Sequence, residues 1–376
     1  MAGRPGGCPR GRGTVVLGYS DRVNSERTTD GGPDVAGLDS LTVVMPVYNE
    51  ERWVRTAVEA VLADVRAAGL VPDVVVVDDG STDATPAVLA ELERAGGVRV
   101  VRQENAGRVA ARAAGLAAAS SPWVLLLDSR VVVEPGAIAW VRAQIAAHPE
   151  RVVWCGHVDV ETRDNPYAAY WSGLVKIGWR RYTANPRLVS FGAEEFDLYP
   201  KGTGCLLIRR ELLVASMGGF ESLYDAVELA SDDTRLLRHV AGQTPIWLSP
   251  DFRFRYHGKS GLRGFVRQSY FRGTTFVDGY LGQAGAVRRA LLGALTAGAV
   301  VGAVALRHPK VGATGAAAVL AGVPAVVGAS GGSAGEVRSA ATLTPLFVPV
   351  FGAGVLRGLA LAAAKVLRLR AGSADA

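Results

Sequence analysis

Apolar residues follow two alternating patterns between residues 41 and 127. Short apolar runs that are typical of buried strands occur at 41–46, 73–80, 98–102 and 123–127. Longer segments with apolar residues at helical spacing lie between them, at 50–70, 85–95 and 106–119. Strands that alternate with helices predict right-handed βαβ units and a parallel sheet. Because ligands of such sheets bind beyond the carboxyl ends of the strands, the polar residues that follow the strands are the candidates for function.

The alternation weakens after about residue 138. Strand-like runs recur at 152–160 and 204–209, and helical spacing recurs at 211–217 and 226–241. Residues 164–200 are aromatic and rich in loop-forming residues, and residues 262–281 form an amphipathic segment in which aromatic residues and arginines are interleaved. This part of the chain therefore predicts fewer regular βαβ units.

The last quarter of the chain contains three long apolar stretches, at 290–306, 311–329 and 343–364. The first two are close to the minimum of about 17 residues that a helix needs to cross a bilayer. The third contains Arg357 together with Pro345 and Pro349, which predicts either a broken span or an interfacial helix. The alternative is a group of soluble helices rich in alanine and glycine.

The basic excess of the chain is confined to this apolar tail. The formal net charge of +6 divides into zero for residues 1–40, −1 for 41–284 and +7 for 285–376. The middle region has no basic patch with interleaved aromatic residues, so we expect no nucleic-acid partner, whereas basic residues around apolar helices favour a membrane. Three cysteines are too few for a disulfide scaffold. We expect a disordered segment at 1–40, an α/β domain at 41–284 and a membrane-associated tail of two or three hydrophobic helices at 285–376.

The turn after the first predicted strand contains an aromatic ring and a carboxylate, Tyr48 and Glu50, directly after Pro46 and Val47. A dinucleotide-binding unit needs a glycine-rich turn at this position, and none is present, which argues against an NAD-dependent oxidoreductase. A ring and a carboxylate can instead stack on and hydrogen-bond a base or a ribose. The alternative is a helix start capped by Asn49.

Carboxylates also follow the second and fourth predicted strands. Asp78 and Asp79 come directly after a run of valines, and Asp128 follows a run of leucines and precedes Ser129 and Arg130. One carboxylate of the first pair can accept a hydrogen bond from a ring N–H of a base. A carboxylate at the fourth strand can hold a divalent cation that bridges diphosphate oxygens.

Taken in order along the chain, these motifs resemble those of the family 2 glycosyltransferases. The matching segments are Pro46-Val47-Tyr48-Asn49-Glu50, Asp78-Asp79-Gly80-Ser81-Thr82-Asp83, Asn105-Ala106-Gly107-Arg108 with Arg112, and Leu126-Leu127-Asp128. The resemblance covers about residues 41–280 and implies an inverting enzyme of the α/β class with a GT-A fold, in which helices flank a mostly parallel, Rossmann-like sheet. It implies a nucleotide-diphosphate sugar as donor, UDP- or GDP-linked. It places around the nucleoside Pro46, Tyr48, Glu50 and either Asp78 or Asp79, with Arg112 near the phosphates or the sugar.

The sequence departs from the family pattern at residue 130. The family usually has Asp-X-Asp where this chain has Asp128-Ser129-Arg130, so a guanidinium stands in place of the second carboxylate. Two interpretations follow. Either Asp128 holds Mg²⁺ or Mn²⁺ with another ligand such as His257, or Arg130 pairs with the diphosphate and partly replaces the metal.

The resemblance also implies a general base at Asp233, with Asp232 as its neighbour. Two adjacent carboxylates raise each other's pKa, which favours proton acceptance near neutral pH. The alternative is that these acids only cap a helix and interact with its dipole. Upstream, Gly204 permits close approach of a donor or acceptor sugar.

Residues 267–273 resemble the family's interfacial region, which closes over the active site. Gln268 and Arg272 are the matching residues, but the full Gln-X-X-Arg-Trp pattern of processive synthases is absent, because Gly273 occupies the place of the tryptophan. The alternative is an amphipathic helix that lies on the membrane with snorkelling arginines.

The sequence thus predicts a non-processive inverting glycosyltransferase in the cell membrane, with its catalytic domain facing the cytoplasm. The expected acceptor is the hydroxyl of a cell-envelope glycan or of a lipid-linked molecule. The alternative from another class is a catalytically degenerate scaffold that binds a nucleotide sugar within a polysaccharide assembly system.

Overall fold

The computed structural model describes residues 37–217, 222–225, 231–281 and 286–374. The strands are β1 Leu41–Val47, β2 Asp73–Asp79, β3 Val98–Gln103, β4 Trp123–Leu127, β5 Val131–Val133, β6 Val153–Val160, β7 Val189–Phe191, β8 Cys205–Arg209 and β9 Ile246–Tyr256. The helices of the first half are α1 Val54–Ala67, α2 Thr85–Ala95, α3 Arg108–Ala118, α4 Ala137–Ala147, α5 Pro166–Gly178 and α6 Arg180–Thr183. The helices of the second half are α7 Arg210–Met217, α8 Asp232–Ala241, α9 Leu262–Leu281, α10 Ala286–Arg307, α11 Pro309–Ala329 and α12 Ala334–Ala374.

Within these residues the strands form one mixed sheet in the order β3-β2-β1-β4-β8-β6-β9-β5, with β7 paired to β9. The pairs β1–β2, β2–β3, β1–β4 and β6–β9 are parallel, whereas β8 is antiparallel to β4 and β6. Six described strands therefore run in one direction, and β5, β7 and β8 run in the other. The chain order reverses between β1 and β4, which makes this point the expected ligand crevice of the sheet.

Helices cover both faces of the sheet, as the βαβ pattern predicts. On one face α1 and α4 pack against alternate strand residues, and the buried set includes Val43, Met45, Val58, Val61, Leu125, Ile138 and Val141. On the other face α3, α7 and α8 pack against the intervening residues, including Val44, Leu116, Leu126, Leu206, Leu213, Leu237 and Val240. Alternate residues of a strand point to opposite faces, so the valine-rich runs are buried on both sides. The predicted α/β class with a mostly parallel sheet is confirmed.

Helix α3 lies unusually close to β1 at Gly115. A Cβ atom built at this glycine would lie 2.4 Å from Cγ1 of Val44. Any larger residue would push α3 off the sheet. The close packing matters for the site because Arg112 lies one helical turn before Gly115.

The prediction of a loop-rich segment at 164–200 was wrong, because this segment contains α5, α6 and β7. Helix α5 begins at a recognisable signal. Asn165 caps it by accepting a hydrogen bond from the Ala168 N–H at 3.1 Å, and Pro166 occupies the first helical turn. The aromatic residues Tyr170 and Tyr182 are buried, which explains why a segment that lacks clear helical periodicity still folds as helix.

The apolar tail forms long helices, as predicted. Two described helical segments, Pro309–Ala329 and Ala334–Arg368, are long and apolar enough to cross a membrane by length and composition. Helix α12 continues through Pro345 and Pro349, so the third apolar stretch is not broken. It packs along α9, where a Cβ atom built at Gly273 would lie 2.2 Å from the carbonyl oxygen of Phe351.

Most of the disordered segment predicted at 1–40 lies outside the described residues, which begin at residue 37. Leu38, which belongs to the predicted segment 1–40, is buried in the core.

Candidate functional site

The carboxyl ends of β1, β2 and β4 and the loop before β8 meet at one edge of the sheet. Glu50 follows β1, Asp128 follows β4 and Gly204 precedes β8. Arg112 on α3 and Asp233 on α8 reach the same edge from the helical layer. The structure therefore brings together residues that the sequence predicts separately.

Arg112 connects two of the predicted carboxylates. Its Nη1 donates to Oδ1 of Asp233 at 2.7 Å, and its Nη2 donates to Oδ1 of Asp128 at 3.1 Å. The Arg112 side chain is 6 % exposed, whereas the two carboxylates are one-third or more exposed. A buried guanidinium thus holds two accessible carboxylates at the carboxyl edge of the sheet.

Asp233 lies in a strongly positive environment. Besides the contact with Arg112, its Oδ1 accepts from the Thr203 hydroxyl and lies 3.9 Å from Nη2 of Arg108. Burial raises the pKa of Asp233, but Arg108, Arg112 and the Thr203 hydroxyl outweigh it and hold this pKa well below its usual range. The expectation that the pKa is raised by a neighbouring carboxylate was therefore wrong. Asp232 begins α8, and its side chain lies outside the described residues.

Gly204 packs directly against Asp128. The Asp128 N–H donates to the Gly204 carbonyl at 2.9 Å. A Cβ atom built at Gly204 would lie 2.8 Å from Oδ2 and 3.1 Å from Cγ of Asp128. Because Arg112 holds the other oxygen of this carboxylate, the side chain has little freedom to move away.

We expect Gly204→Ala to lower kcat/KM for the sugar transfer that the sequence resemblance implies by about 10-fold or more, because the methyl group displaces the Asp128 carboxylate from its position. Gly202→Ala is the matched control, since a Cβ atom there meets no atom within 4 Å. Initial rates and melting temperatures of both variants test this expectation. Equal rates for the two variants would show that the space at Gly204 is not required.

Arg130 pairs with Glu50 instead of standing alone in the place of a second metal ligand. Its Nε donates to Oε1 of Glu50 at 2.8 Å, and the two side chains are 20 % and 11 % exposed. The other carboxylate oxygen, Oε2, is buried and accepts no hydrogen bond from any described residue. Such an orphaned acceptor is costly unless a ligand satisfies it, so Glu50 is suited to receive a donor group.

The structure separates the roles of Asp78 and Asp79, between which the sequence could not choose. Asp79 accepts from the N–H groups of Ala106 and Gly107, both at 2.9 Å, and from the Gln103 amide at 2.7 Å. It therefore holds the loop that leads into α3 and thereby supports Arg112. Asp78 accepts a single described hydrogen bond, from the Ser81 N–H at 3.0 Å. Asp78 is thus the better candidate for a nucleoside contact.

The loop after β1 is tied to the loop after β2. Asn49 has a φ of 54° and accepts from the Thr82 N–H at 2.8 Å, so it joins two loops and does not cap α1. Pro46 pairs with Val77 inside the sheet. Tyr48 is 47 % exposed, so its ring is available for stacking at this edge.

The His257 ring stacks on Trp53 with a ring-centroid distance of 4.0 Å, and the backbone N–H of His257 donates to the Arg130 carbonyl at 2.9 Å. Burial and nearby arginines lower its pKa, so the ring is neutral near pH 7. No group of three or more His, Cys, Asp or Glu side chains able to hold a metal occurs among the residues that the structure describes. Asp128 offers an accessible carboxylate, and a single carboxylate fits a cation that takes most of its ligands from a diphosphate and water.

Gln268 and Arg272 both lie on α9. The Arg272 guanidinium lies over the Trp171 ring, 5.7 Å from its centroid. Burial raises the pKa of Tyr256, while the charges of Arg272 and Arg130 lower it. Tyr256 is the last residue of β9, directly before His257, and the sequence pattern did not single it out.

Comparisons with known proteins identify a matching family model, similar sequences and a similar solved structure. The family model described as "Glycosyl transferase family 2" matches residues 42–213. The succinoglycan biosynthesis protein ExoO of Rhizobium meliloti is 36 % identical over 103 residues, which are 27 % of this chain and 29 % of that protein. The undecaprenyl-phosphate 4-deoxy-4-formamido-L-arabinose transferase of Pseudomonas paraeruginosa is 32 % identical over 149 residues, 39 % of this chain and 43 % of that protein. The chain therefore spans less than half the length of both relatives.

Among solved structures, the chain is similar to the mannosyltransferase PcManGT from Pyrobaculum calidifontis in complex with GDP-Man and Mn²⁺. It aligns with a TM-score of 0.49 and 20 % sequence identity, and the alignment covers 91 % of each chain.

Proposed function

We propose, from the premise that residues 42–213 form a family 2 glycosyl transferase domain, that this protein transfers a sugar from a nucleotide-diphosphate sugar to an acceptor with inversion at the anomeric carbon. The observation that carries the proposal is the arrangement of Asp128, Arg112 and Asp233. Two accessible carboxylates lie beside each other with one buried guanidinium between them, and this supports a role for Asp128 at the phosphate end of the donor and for Asp233 at the acceptor.

The nucleoside is proposed to lie over the loops after β1 and β2. The exposed ring of Tyr48 stacks on the base, and Asp78 accepts from a ring N–H. The orphaned Oε2 of Glu50 receives a hydroxyl of the ribose or a donor of the base. Both UDP- and GDP-linked donors offer these groups.

The diphosphate is proposed to lie between Asp128, Arg112 and Arg130. A divalent cation, when bound, neutralises diphosphate charge and is held on the protein side by Asp128. The predicted alternative is that Arg130 partly replaces the metal. It requires the Arg130 nitrogens other than Nε, which donates to Glu50, to face the diphosphate.

Asp233 is proposed to act as the general base. Its carboxylate accepts the proton of an acceptor hydroxyl while the hydroxyl oxygen forms a bond to the anomeric carbon and the bond between this carbon and the diphosphate breaks. A single displacement of this kind inverts the anomeric configuration. Because Arg112 also faces the diphosphate site, an arriving diphosphate competes with Asp233 for the guanidinium, which raises the basicity of Asp233 when the donor is in place.

The acceptor is proposed to be a cell-envelope glycan or a lipid-linked molecule at the cell membrane, with the catalytic domain facing the cytoplasm. Two features support this proposal: the apolar segments at Pro309–Ala329 and Ala334–Arg368, and relatives named for succinoglycan biosynthesis and for transfer to undecaprenyl phosphate. Gln268 and Arg272 on α9 are proposed to close over the acceptor. Their departure from the processive pattern supports a single transfer per binding event.

A donor screen tests the proposed function. Membranes from an expressing strain are incubated with UDP-glucose, UDP-N-acetylglucosamine, UDP-galactose and GDP-mannose, and products are identified by mass spectrometry. We expect release of one nucleoside diphosphate together with a lipid or glycan whose mass increases by one sugar, and neither in membranes that lack the protein. Donor binding without release of a nucleoside diphosphate would support the scaffold alternative instead.

Removal of divalent cations is expected to lower the transfer rate by about 10-fold or more, because the diphosphate charge is then stabilised only by arginines. Mn²⁺ or Mg²⁺ added back restores the rate. The measurement compares initial rates in EDTA, with and without each cation. Full activity in EDTA would overturn the role of Asp128 as a metal ligand and would favour Arg130 as the group that replaces the metal.

A further inference from the structure

Asp278 is a fully buried carboxylate on α9, with 0 % of its side chain exposed. It accepts from Nε of Arg235 at 3.1 Å and from Nη2 of the same residue at 2.9 Å. It also accepts from the N–H groups of Ser231 at 2.7 Å and Leu223 at 2.6 Å, and from the Ser222 hydroxyl at 3.1 Å. Both carboxylate oxygens are therefore saturated by donors from a different part of the chain.

These donors surround the proposed base. Ser231 lies two residues before Asp233 and Arg235 lies two residues after it, so Asp278 holds the first turn of α8 on both sides of the base. The carbonyl oxygen of Asp278 also accepts from Nη2 of Arg235 at 2.8 Å. A carboxylate that receives backbone and guanidinium donors together makes strong charge-assisted hydrogen bonds. The start of α8 is thereby fastened to α9.

The contact between the two helices is also tight in space. A Cβ atom built at Gly279, next to Asp278, would lie 2.9 Å from Oγ and 3.3 Å from Cβ of Ser231. The absence of a side chain at Gly279 lets α9 approach the residue that precedes α8. Steric fit and charge thus independently define where the first turn of α8 lies.

Helix α9 itself is fixed by the tail. Gly273 and Gly354 bring α9 and α12 into backbone contact, and Lys365 of α12 donates to the Ser222 carbonyl at 2.8 Å. Arg272, which is proposed to close over the acceptor, precedes Asp278 by six residues, or about 9 Å along the helix. One helix therefore carries both the closing residue and the anchor of the base.

We propose that Asp278 is a positioning residue that fixes Asp233 against Arg112 and the acceptor site. This inference rests on the proposed function and adds a residue that no sequence motif indicated. Asp278 acts through Ser231 and Arg235 and touches no reacting atom. A displacement of about 1 Å at a reacting group costs about 100-fold in rate, so a small shift of α8 is sufficient to slow transfer.

The test measures kcat and the donor KM of the full-length chain with the donor that the screen identifies. Asp278→Asn keeps the shape of the side chain but replaces one acceptor oxygen with an amide. We expect kcat to fall by about 30- to 100-fold and the donor KM to stay within about threefold, because Tyr48, Asp78 and Glu50 lie on other elements.

Glu336→Gln is the matched control for a structural effect. Glu336 is also buried, pairs with Lys176 at 2.6 Å and accepts from Ser172 and the Ser333 N–H, but it lies at the start of α12, away from α8. We expect it to lower the melting temperature to a similar extent while kcat of the folded protein stays within about twofold of the original value. An equal loss of kcat in both variants, or a parallel change of kcat and donor KM in Asp278→Asn, would overturn the positioning role.

A second variant tests the geometry without removing a charge. Gly279→Ala pushes on Ser231, and we expect kcat to fall by about 3- to 10-fold with an unchanged melting temperature. Gly264→Ala on the same helix is its control, since its Cβ atom meets only Lys259 at an ordinary 3.6 Å. If Gly279→Ala and Gly264→Ala both have the kcat of the wild-type protein, the close contact between Gly279 and Ser231 does not position the base. If the wild-type protein transfers no sugar from any donor, the proposed function is wrong and the positioning role falls with it. If the wild-type protein is active and Asp278→Asn is equally active, only the positioning role is wrong.

Discussion

Replacing Asp233 with asparagine is expected to lower the rate of sugar transfer by at least about 100-fold, because the amide has no basic oxygen for the acceptor proton. The donor should still bind with a dissociation constant within about threefold of the original value, since the nucleoside contacts lie on other loops. Transfer rates at saturating donor and acceptor, together with calorimetric titration of the donor, give the two numbers. The change also leaves Arg112 and Arg108 beside a neutral amide, so both guanidinium groups become more available to the diphosphate.

Asp73 provides a closely matched control for this variant. It accepts from Nη2 of Arg99 at 2.7 Å and from the Thr42 hydroxyl at 2.7 Å, so its pairing resembles that of Asp233 with Arg112 and Thr203. It lies at the start of β2, at the opposite edge of the sheet from the site. Asp73→Asn is expected to change stability but not transfer. If Asp233→Asn and Asp73→Asn transfer sugar at equal rates, Asp233 is not the general base.

The position of the site follows from features that are local in sequence. Valine- and leucine-rich runs such as β2 and β4 are recognisable as buried strands, and parallel strands place the residues after them at one edge. For this reason the sequence predicts that the Asp78–Asp79 pair and Asp128 lie at the same edge, as the structure shows. The start of α5 was missed although Asn165 and Pro166 are a local signal, because neighbouring aromatic residues obscured its periodicity.

The pairing of charges inside the site could not be predicted in the same way. Arg112 meets a carboxylate 121 residues away, and Arg130 meets Glu50 across 80 residues. The sequence shows Asp232 next to Asp233 but not the arginines that approach from α3. The expected direction of the pKa shift was therefore wrong, since attraction by Arg108 and Arg112 exceeds any repulsion within the pair.

Adjacent residues with different roles present the same difficulty. Asp78 and Asp79 are equivalent in the motif, and only the loop of Ala106 and Gly107 distinguishes them by engaging Asp79. Asp278 belongs to no recognisable motif. An acidic residue in an amphipathic helix is typical of a solvated face, so the sequence did not indicate that Asp278 is buried. Its burial depends on the packing of α9 against α8, which the sequence pattern does not encode locally.

Arg112→Gln is expected to lower kcat/KM by about 100- to 1,000-fold, because the diphosphate loses a buried cation and the two carboxylates lose the group that holds them together. Arg112→Lys should retain more activity than Arg112→Gln. A single ammonium keeps the charge but cannot satisfy Asp128 and Asp233 in the same geometry as the planar guanidinium. Arg151→Gln is the control, since that side chain is 11 % exposed and bonds Gln144 at the opposite edge of the sheet.

The same variant changes the pH dependence of transfer in a definite direction. Without donor, Arg108 and Arg112 hold the pKa of Asp233 well below its usual range, so kcat/KM of the original protein should show no acid limb in the working pH range. Loss of Arg112 raises this pKa, so in Arg112→Gln the rate should begin to fall at a higher pH than in the original protein. Rate profiles from pH 4 to pH 8, at about 0.5-unit steps and with Arg151→Gln alongside, measure the shift. Superimposable profiles would show that Arg112 does not control the ionisation of Asp233. A shift that occurs only in Arg112 variants would show that the guanidinium proposed to bind the diphosphate also sets the pKa of the base.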